Sequence, residues 1–447
     1  VRQEYDYDGF CWTTLAFDAK EPVEVKSLTL SVPLKDKIVK YRDQLSRGDV
    51  RGGPAPDVSV PQGEGVIWES FTNAAAISAW TKQHHASKII PYLYLGGNFK
   101  GLAFLIDSMR DLSVGWDKAP QRLVRKGDTL TYEFDLGAKP VKWLGKKRIE
   151  LGFQPTPVKP KDPAHGKFGE IMYNYACPSN AICAGYTTAL DLHHCNTPHA
   201  SYYPNDDRSL LEYVRSAKRM DSAGYKRKLA EYVERNRDWL EKCPITSPEA
   251  YLEGHAQGCR LMTGGVRPRY FDPMLITCFW PEWEMYKGEW YPEEWTHDNY
   301  FNEYMGNLCA SRIDKLMWDT KVALDAGDQG LYYDCFFGFA SACFPQPDSG
   351  AYLKPEGGIQ WSVSTIRQWR EILKRSATLC YLQGKLYNGR PVVELHDTEG
   401  AVPMLDSWCL TGLSTERGSD GGEFPIRFCE SFTLMNIIGG SSGKGSH

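Results

Sequence analysis

The sequence predicts a multi-domain β and α/β protein, an N-terminal antiparallel β-sandwich followed by a (β/α)8 barrel, and three observations predict it. Up to about residue 160, short runs of β-branched and aromatic residues alternate with Gly, Pro and Asp turn signals. Beyond a proline-rich segment, helical periodicity alternates with short apolar runs. The chain has 447 residues, which is more than one core usually fills, so two domains are expected.

The predicted strands of the first domain are five runs bounded by turn residues. No amphipathic helix of three turns interrupts them, and this pattern is typical of a sandwich. The Gly- and Pro-rich stretch 46–65 is predicted to be a long surface loop. The predicted strands are 23–32, 89–97, 101–107, 130–136 and 148–154.

A proline-rich segment marks the predicted domain boundary. Pro155, Pro157, Pro160 and Pro163 lie close together, and proline fixes φ and lacks the backbone N–H that regular structure needs. We therefore expect a β-sandwich domain at 1–160, a catalytic barrel at 168–438 and a linker or tag remnant at 439–447.

The second domain is predicted from a repeated order of helix, glycine and apolar strand. The predicted helices 303–327 and 361–384 each end at a glycine, and the apolar runs 330–339 and 391–395 follow them. A charge-rich helical stretch covers 206–242. This order is typical of parallel β/α units, and about 280 residues of them match the usual size of a (β/α)8 barrel. A doubly wound sheet is the alternative.

The bulk composition excludes several classes of partner. The formal net charge is −4 and no block of like charges occurs, so neither nucleic acid nor anionic lipid is an expected partner. No run approaches the roughly 20 apolar residues that span a bilayer. Thirteen cysteines are scattered without CxxC pairs. We expect a secreted or periplasmic protein whose signal peptide has been removed, and the oligomeric state stays open.

The stretch "GLYYDCFFGF" carries the central candidate residue. Asp334 follows Leu331, Tyr332 and Tyr333, where the predicted strand should end. Catalytic groups of parallel β/α folds sit at the carboxyl ends of strands, so Asp334 is a candidate catalytic carboxylate. Tyr332 and Tyr333 are candidate substrate contacts. The alternative is that Asp334 caps the following loop.

Five stretches together carry a resemblance to a known family. They are "IIPYLYLGGNFKGLAFLIDSMRDLSVGW", "RIELGFQPTPVKP", "KGEWYPEEW", "GLYYDCFFGF" and "GGEFP". They resemble glycoside hydrolase family 123, the β-N-acetylgalactosaminidase-like enzymes. The resemblance implies a β-sandwich, a catalytic barrel and hydrolysis assisted by the substrate's own acetamido group. The family's adjacent Asp-Glu pair matches Asp334 and Cys335, so a thiol stands at the position of the general acid.

Three acidic neighbourhoods are candidates for the missing acid. Glu394 and His396 share one face of the predicted strand in "VVELHDTE". Glu423 follows paired glycines in "SDGGEFP", and Glu289 stands beside Trp290 in "KGEW". Glu423 and His396 are the first choices. For each carboxylate the alternative is a solvated surface charge.

Aromatic side chains and one histidine-rich loop complete the predicted site. With 14 Trp, 25 Tyr and 18 Phe the chain is rich in rings that stack on sugars, and Trp290 and Trp361 are the expected platforms. His194 lies in "LHHCNTPH" and is predicted to hydrogen-bond the sugar, because the spacing matches no zinc signature; no metal is expected. No phosphate loop, GxSxG elbow or dinucleotide fingerprint occurs, so no cofactor is expected either.

The predicted function is therefore hydrolysis of a glycosidic bond in a poly- or oligosaccharide by carboxylate acid/base chemistry. An amino-sugar substrate is what the resemblance implies. Two alternatives remain open. One is a non-catalytic carbohydrate-binding protein on a degenerate barrel, and the other is a polysaccharide lyase with Tyr332, Tyr333 or His396 as base.

Overall fold

The structure is a computed structural model, and parts of the chain are described in it. In the first 158 residues these parts are 1–44, 59–70, 89–97, 100–114, 118–137 and 139–158. Six helical positions between 227 and 237 are also described. The later parts are 268–271, 273, 275–277, 283–290, 303–305, 307–325, 328–334, 350–355, 357–360, 362–396, 402–414 and 436–439.

The chain folds as two compact units. The first comprises Val1–Gly166, Phe337–Arg370 and Asp397–His447, so it includes two segments from late in the sequence. The second comprises Lys167–Phe336 and Glu371–His396. The domain limits derived from the proline-rich segment stay a prediction.

The first unit contains two antiparallel sheets. One has six strands in the order β1-β2-β10-β7-β6-β4, and the other has four in the order β3-β9-β8-β5. The strands are β1 Arg2–Tyr5, β2 Cys11–Val25, β3 Leu28–Lys35, β4 Tyr41–Gln44, β5 Gly65–Glu69, β6 Tyr92–Gly96, β7 Gly101–Leu105, β8 Gln121–Lys126, β9 Thr129–Gly137 and β10 Val141–Thr156. A short 3-10 helix, Asp36–Ile38, follows β3.

Side chains from both sheets form one hydrophobic core. Burial alternates along β9, as expected for a strand with one face inward. The rings of Phe104 on β7 and Tyr132 on β9 have centroids 4.5 Å apart across the core. Two antiparallel sheets around one core are consistent with the sandwich predicted for this part of the chain. Other core members are Trp68, Leu93, Leu95, Leu123, Leu130, Phe134, Leu136, Ile149 and Leu151.

Some strand bounds differ from the prediction. The run 23–32 was predicted as one strand, but β2 ends at Val25 and β3 begins at Leu28 in the other sheet. This prediction was wrong because the chain changes sheets at a two-residue corner, Lys26 and Ser27, where the apolar alternation shifts phase. β5 begins at Gly65, at the end of the predicted loop, and residues 45–58 lie outside the described parts.

The second unit contains three parallel strands in the order β11-β14-β19. They are β11 Pro268–Phe271, β14 Gly330–Tyr333 and β19 Val393–His396. The helices of the later parts are α1 Trp283–Trp290, α2 Ala310–Asp325, α3 Ile366–Leu382 and α4 Pro403–Asp406. Parallel strands and intervening helices are the local pattern that the sequence predicted, while a closed (β/α)8 barrel is not shown by the described residues.

Shorter strands complete the described parts. β12 Leu275–Thr277 pairs antiparallel with β13 Glu303–Met305, and β20 Thr411–Ser414 pairs in parallel with β21 Asn436–Gly439. The remaining strands form two short antiparallel pairs. They are β15 Tyr352–Leu353, β16 Ile359–Gln360, β17 Leu386–Tyr387 and β18 Arg390–Pro391.

Two helix predictions need correction at their beginnings. The predicted helix 303–327 opens instead with β13, because residues 303–305 pair with β12, and α2 begins only at Ala310. The predicted helix 361–384 begins at Ile366. Its predicted end at a glycine is confirmed, since Gly384 has φ +67 and donates its N–H to the carbonyl of Tyr381.

Within the described residues, no helix is both long and apolar enough to cross a membrane.

Candidate active site

The candidate site lies at the carboxyl ends of the three parallel strands. Asp334 directly follows β14, is partly buried, and donates its backbone N–H to the carbonyl of Phe271 at 2.8 Å. Phe271 is the last residue of β11. Tyr333 pairs with Leu395, so Asp334 and His396 occupy the next positions on neighbouring strands. Asp334 is therefore held at the strand edge where parallel β/α folds carry their catalytic groups.

Glu394 lies in β19 and is fully buried. It pairs with Tyr332 of β14 and has 0% exposure. Neither carboxyl oxygen has a hydrogen-bond partner among the described residues. Burial raises the pKa of the Glu394 carboxyl well above its ordinary value, because an uncompensated negative charge is unfavourable in apolar surroundings. Burial therefore favours the neutral form of the Glu394 carboxyl group.

Strand geometry puts Asp334 and Glu394 on the same face of the sheet. Glu394 is level with Tyr332, and Asp334 stands two residues beyond Tyr332, so the alternation of side chains directs both carboxyl groups to one side. A strand spacing of about 4.8 Å and a rise of about 3.3 Å per residue separate their Cα atoms by roughly 8 Å. The two acids are therefore on neighbouring strands, with Glu394 further from the carboxyl end of the sheet than Asp334.

The opposite face of β14 packs on helices. The hydroxyl oxygen of Tyr333 lies 3.1 Å from Thr320 Oγ1 of α2 and 2.7 Å from Ser376 Oγ of α3. Because Tyr333 faces these helices, Tyr332, Asp334 and Glu394 belong to the face turned away from them. That is the face on which the inward-pointing side chains of a β/α barrel lie.

Three of the aromatic residues predicted to contact a sugar lie in the interior. Tyr332 and Tyr333 are 2% and 0% exposed, and Trp290 is 0% exposed. The indole N–H of Trp290 donates to Ser311 Oγ at 3.0 Å, and the ring stacks on Tyr286 with centroids 5.2 Å apart. These surroundings favour a packing role for Trp290 and Tyr333.

Glu289 is hydrogen-bonded within its own part of the unit. Its Oε2 accepts a hydrogen bond from Ser311 Oγ at 2.6 Å, and its carbonyl accepts one from Asn307 Nδ2 at 2.7 Å. These contacts join α1 to the beginning of α2. None of the hydrogen bonds described for Glu289 reaches Asp334 or Glu394.

Several predicted site residues cannot be placed beside the strand ends. Glu423, Trp361, His194 and Cys335 lie outside the described residues, and for His396 only the backbone position in β19 is described. Their roles stay predictions.

The burial of Glu394 is a feature of the site that sequence reasoning did not reveal. Glu394 was a candidate, but Glu423 and His396 were preferred. One signal pointed to it, because a single acid stands between the valines and the leucine of "PVVELH", where a strand is buried on both faces. The same pattern also fits a strand with one solvent-facing side, so the sequence did not reveal the burial.

No protein-family model and no curated protein matches the chain. The solved structures to which it is similar include several alpha-galactosidases. They include an alpha-galactosidase from Thermus thermophilus, with 11% identity and a TM-score of 0.33, where 90% of this chain aligns with 75% of the other. An alpha-galactosidase from Lactobacillus brevis gives 8% identity and a TM-score of 0.32, and 91% of this chain aligns with 52% of that enzyme. A family 36 alpha-galactosidase from Geobacillus stearothermophilus gives 9% identity and a TM-score of 0.36, and 90% of this chain aligns with 54% of that enzyme.

The chain thus spans about half the length of the latter two enzymes. At these TM-scores the likeness carries no argument about the fold or activity of this chain. The similarity to family 123 therefore remains a resemblance in sequence.

Proposed function

We propose that the protein is a glycoside hydrolase that cleaves a poly- or oligosaccharide, with Asp334 and Glu394 as its central carboxyl groups. The observation that carries the proposal is the placement of these two acids on one face, at the carboxyl ends of adjacent parallel strands. A (β/α)8 barrel is the architecture we propose around them.

The two carboxyl groups differ in environment, as acid/base hydrolysis requires. Glu394 is buried and unpaired, so it holds its proton and could deliver it to a departing glycosidic oxygen. Asp334 lies at the partly exposed strand end, where its carboxylate could stabilise positive charge at the anomeric carbon. Their Cα separation of roughly 8 Å is compatible with the carboxyl separations of about 5 to 9.5 Å found in glycosidases.

The depth of Glu394 sets a condition on the substrate. Glu394 pairs with Tyr332, two residues before Asp334. The leaving oxygen of the substrate must therefore pass Asp334 to reach the carboxyl group of Glu394. His396 and Glu423 remain candidate proton donors nearer the strand ends. The amino-sugar preference rests on the resemblance to family 123. A secreted or periplasmic location also remains part of the proposal.

Asp334→Asn tests the proposal. We expect turnover to fall at least about a thousandfold, equivalent to roughly 4 kcal/mol of transition-state stabilisation, with sugar binding largely kept. The matched control is Asp325→Asn, an exposed carboxylate at the end of α2, which should leave turnover unchanged. Release of reducing ends from amino-sugar, neutral and acidic saccharides, including N-acetyl-β-galactosaminides and α-galactosides, measures turnover, and calorimetry measures binding.

Three outcomes would contradict the proposal. Binding of a saccharide by the wild type without new reducing ends would favour the carbohydrate-binding protein. Unsaturated product ends would favour the lyase. Full activity of Asp334→Asn would remove Asp334 from the mechanism.

A further inference from the structure

Asp107, in the first unit, is a buried carboxyl group that the proposed hydrolysis does not use. It lies two residues beyond the end of β7 and is 1% exposed. Neither of its carboxyl oxygens has a hydrogen-bond partner of normal geometry among the described residues. Its closest described cation is Arg367, whose Nη1 lies 3.9 Å from Asp107 Oδ2. At that distance the guanidinium offsets only part of the cost of a buried charge.

Described residues of the segment 350–363 contact the backbone of Asp107 and its turn. The N–H of Val363 donates to the carbonyl of Asp107 at 2.9 Å. Gly350 approaches so closely that a Cβ atom there would collide with the Asp107 carbonyl oxygen. Arg110 Nη2 donates to the carbonyl of Ala351 at 3.4 Å. These contacts hold both ends of the segment against the turn that contains the carboxyl group.

Three charged groups act on Asp107. Arg367 reaches it from α3, Glu150 from β10, and Arg110 from its own turn. Arg367 is itself fixed, because its guanidinium lies over the ring of Trp12, 4.6 Å from the centroid, and the Trp12 indole N–H donates to Glu150 Oε1 at 3.0 Å. Gly350 and Val363, the contacts from the covering segment, are uncharged.

We propose that Asp107 and the segment 350–363 form a pH-sensitive latch, closed while the carboxyl group is neutral and opened more often once it is ionised. Opening gives the carboxylate water, which the closed arrangement does not supply.

The titration of Asp107 supports the latch. The pKa of Asp107 is raised from 3.8 to about 6, chiefly by burial; Arg367 lowers it and Glu150 raises it within that net shift. Because the closed form has the higher pKa, its added stability is fully present below pH 3.8 and is lost as the pH rises through 6. The latch therefore loosens toward neutral pH and changes little above it.

Hydrogen exchange of the Val363 amide in the full chain tests the latch. After correction for intrinsic exchange, we expect its opening constant to rise roughly twentyfold between about pH 4.5 and 7.5. Asp107→Asn, which is nearly isosteric, should abolish this dependence. Asp18→Asn, an exposed carboxylate on β2, should retain it.

A second variant tests the charge pair even if Asp107→Asn fails to fold. Arg367→Gln removes the cation that lowers the pKa of Asp107, so the rise in opening should continue to higher pH. A pH-independent opening constant in the wild type would overturn the proposal. So would an unchanged profile in Asp107→Asn or in Arg367→Gln.

Discussion

At the residue scale, Glu394 shows how an ordinary side chain acquires a special state. Val393 and Leu395 flank it and are fully buried, and the parallel pairing with β14 encloses it from the side. A carboxyl group in such surroundings keeps its proton because the charged form would lose its hydration without gaining a partner. Above the pKa that this acid has in the unfolded chain, keeping it protonated lowers the stability of the folded protein. Buried acids with a raised pKa are typical of functional sites.

Glu394→Gln is expected to lower turnover at least about a hundredfold while raising stability at pH 8. The pKa of Glu394 is higher in the folded chain than the ordinary 4.5, so the neutral acid supports folding below pH 4.5 and does so less as the pH rises. The amide carries no such dependence. Thermal unfolding at pH 5 and pH 8, together with turnover, measures both effects.

Glu371→Gln is the control for this prediction, because Glu371 is exposed on α3. It should change neither turnover nor the pH dependence of stability. If Glu394→Gln kept full activity and was less stable than the wild type at both pH values, Glu394 would be a structural acid.

At the scale of the element, the position of Asp334 depends on how β14 is fixed to its helices. Tyr333 immediately precedes Asp334, and its hydroxyl group joins Thr320 of α2 and Ser376 of α3. Ser376 Oγ also donates to the sulfur of Met317 at 3.8 Å. The last strand residue is thereby tied to two helices, which fixes where the strand ends.

Tyr333→Phe is expected to destabilise the fold by about 1 to 3 kcal/mol, because buried hydroxyl partners lose their hydrogen bonds. Denaturant unfolding measures the loss. Tyr381→Phe is the matched control, since Tyr381 is 63% exposed on α3, and it should change stability by less than about 0.5 kcal/mol. Equal effects of the two substitutions would show that the hydroxyl contacts of Tyr333 contribute nothing.

At the scale of the whole molecule, Arg370 connects the three sequence segments of the first unit. Its side chain is 5% exposed and donates to both carboxyl oxygens of Asp8 at 2.9 and 2.8 Å, and to Asp6 at 2.9 Å. It also donates to the carbonyl of Met404 at 2.5 Å, and the Phe10 ring lies 4.2 Å away. The guanidinium thus binds two acids that lie more than 360 residues before it in sequence.

Arg370→Met is expected to destabilise the first unit by about 3 to 5 kcal/mol, since it leaves buried Asp8 without its cation. Arg375→Met, which removes a partly exposed pair with Asp314, should cost less than about 1 kcal/mol. Denaturant unfolding of the full-length variants compares them. A similar small loss for both would mean that the buried network adds little to stability.

Part of the fold could be predicted from the sequence because its signals are local. Alternating burial along β9, the end of α3 at Gly384 and the end of β14 before Asp334 each follow from a few consecutive residues. The change of sheet after Val25 was not predicted, although the apolar positions shift there from Val23 and Val25 to Leu28 and Leu30, because a local shift of phase does not specify which sheet the next strand joins.

The sequence by itself predicted β6, β7, β9 and the second half of β10, the succession of helices and parallel strands, and the position of Asp334 at a strand end. Only the tertiary structure decided which acids are buried, because burial depends on neighbours that are distant in sequence. Glu394 is enclosed beside a strand some sixty residues earlier, and the segment 350–363 closes over Asp107. Trp290, expected at a sugar, lies against Ser311 in the interior. Periodicity specifies which face a side chain takes, and tertiary packing sets its dielectric surroundings and therefore its chemistry.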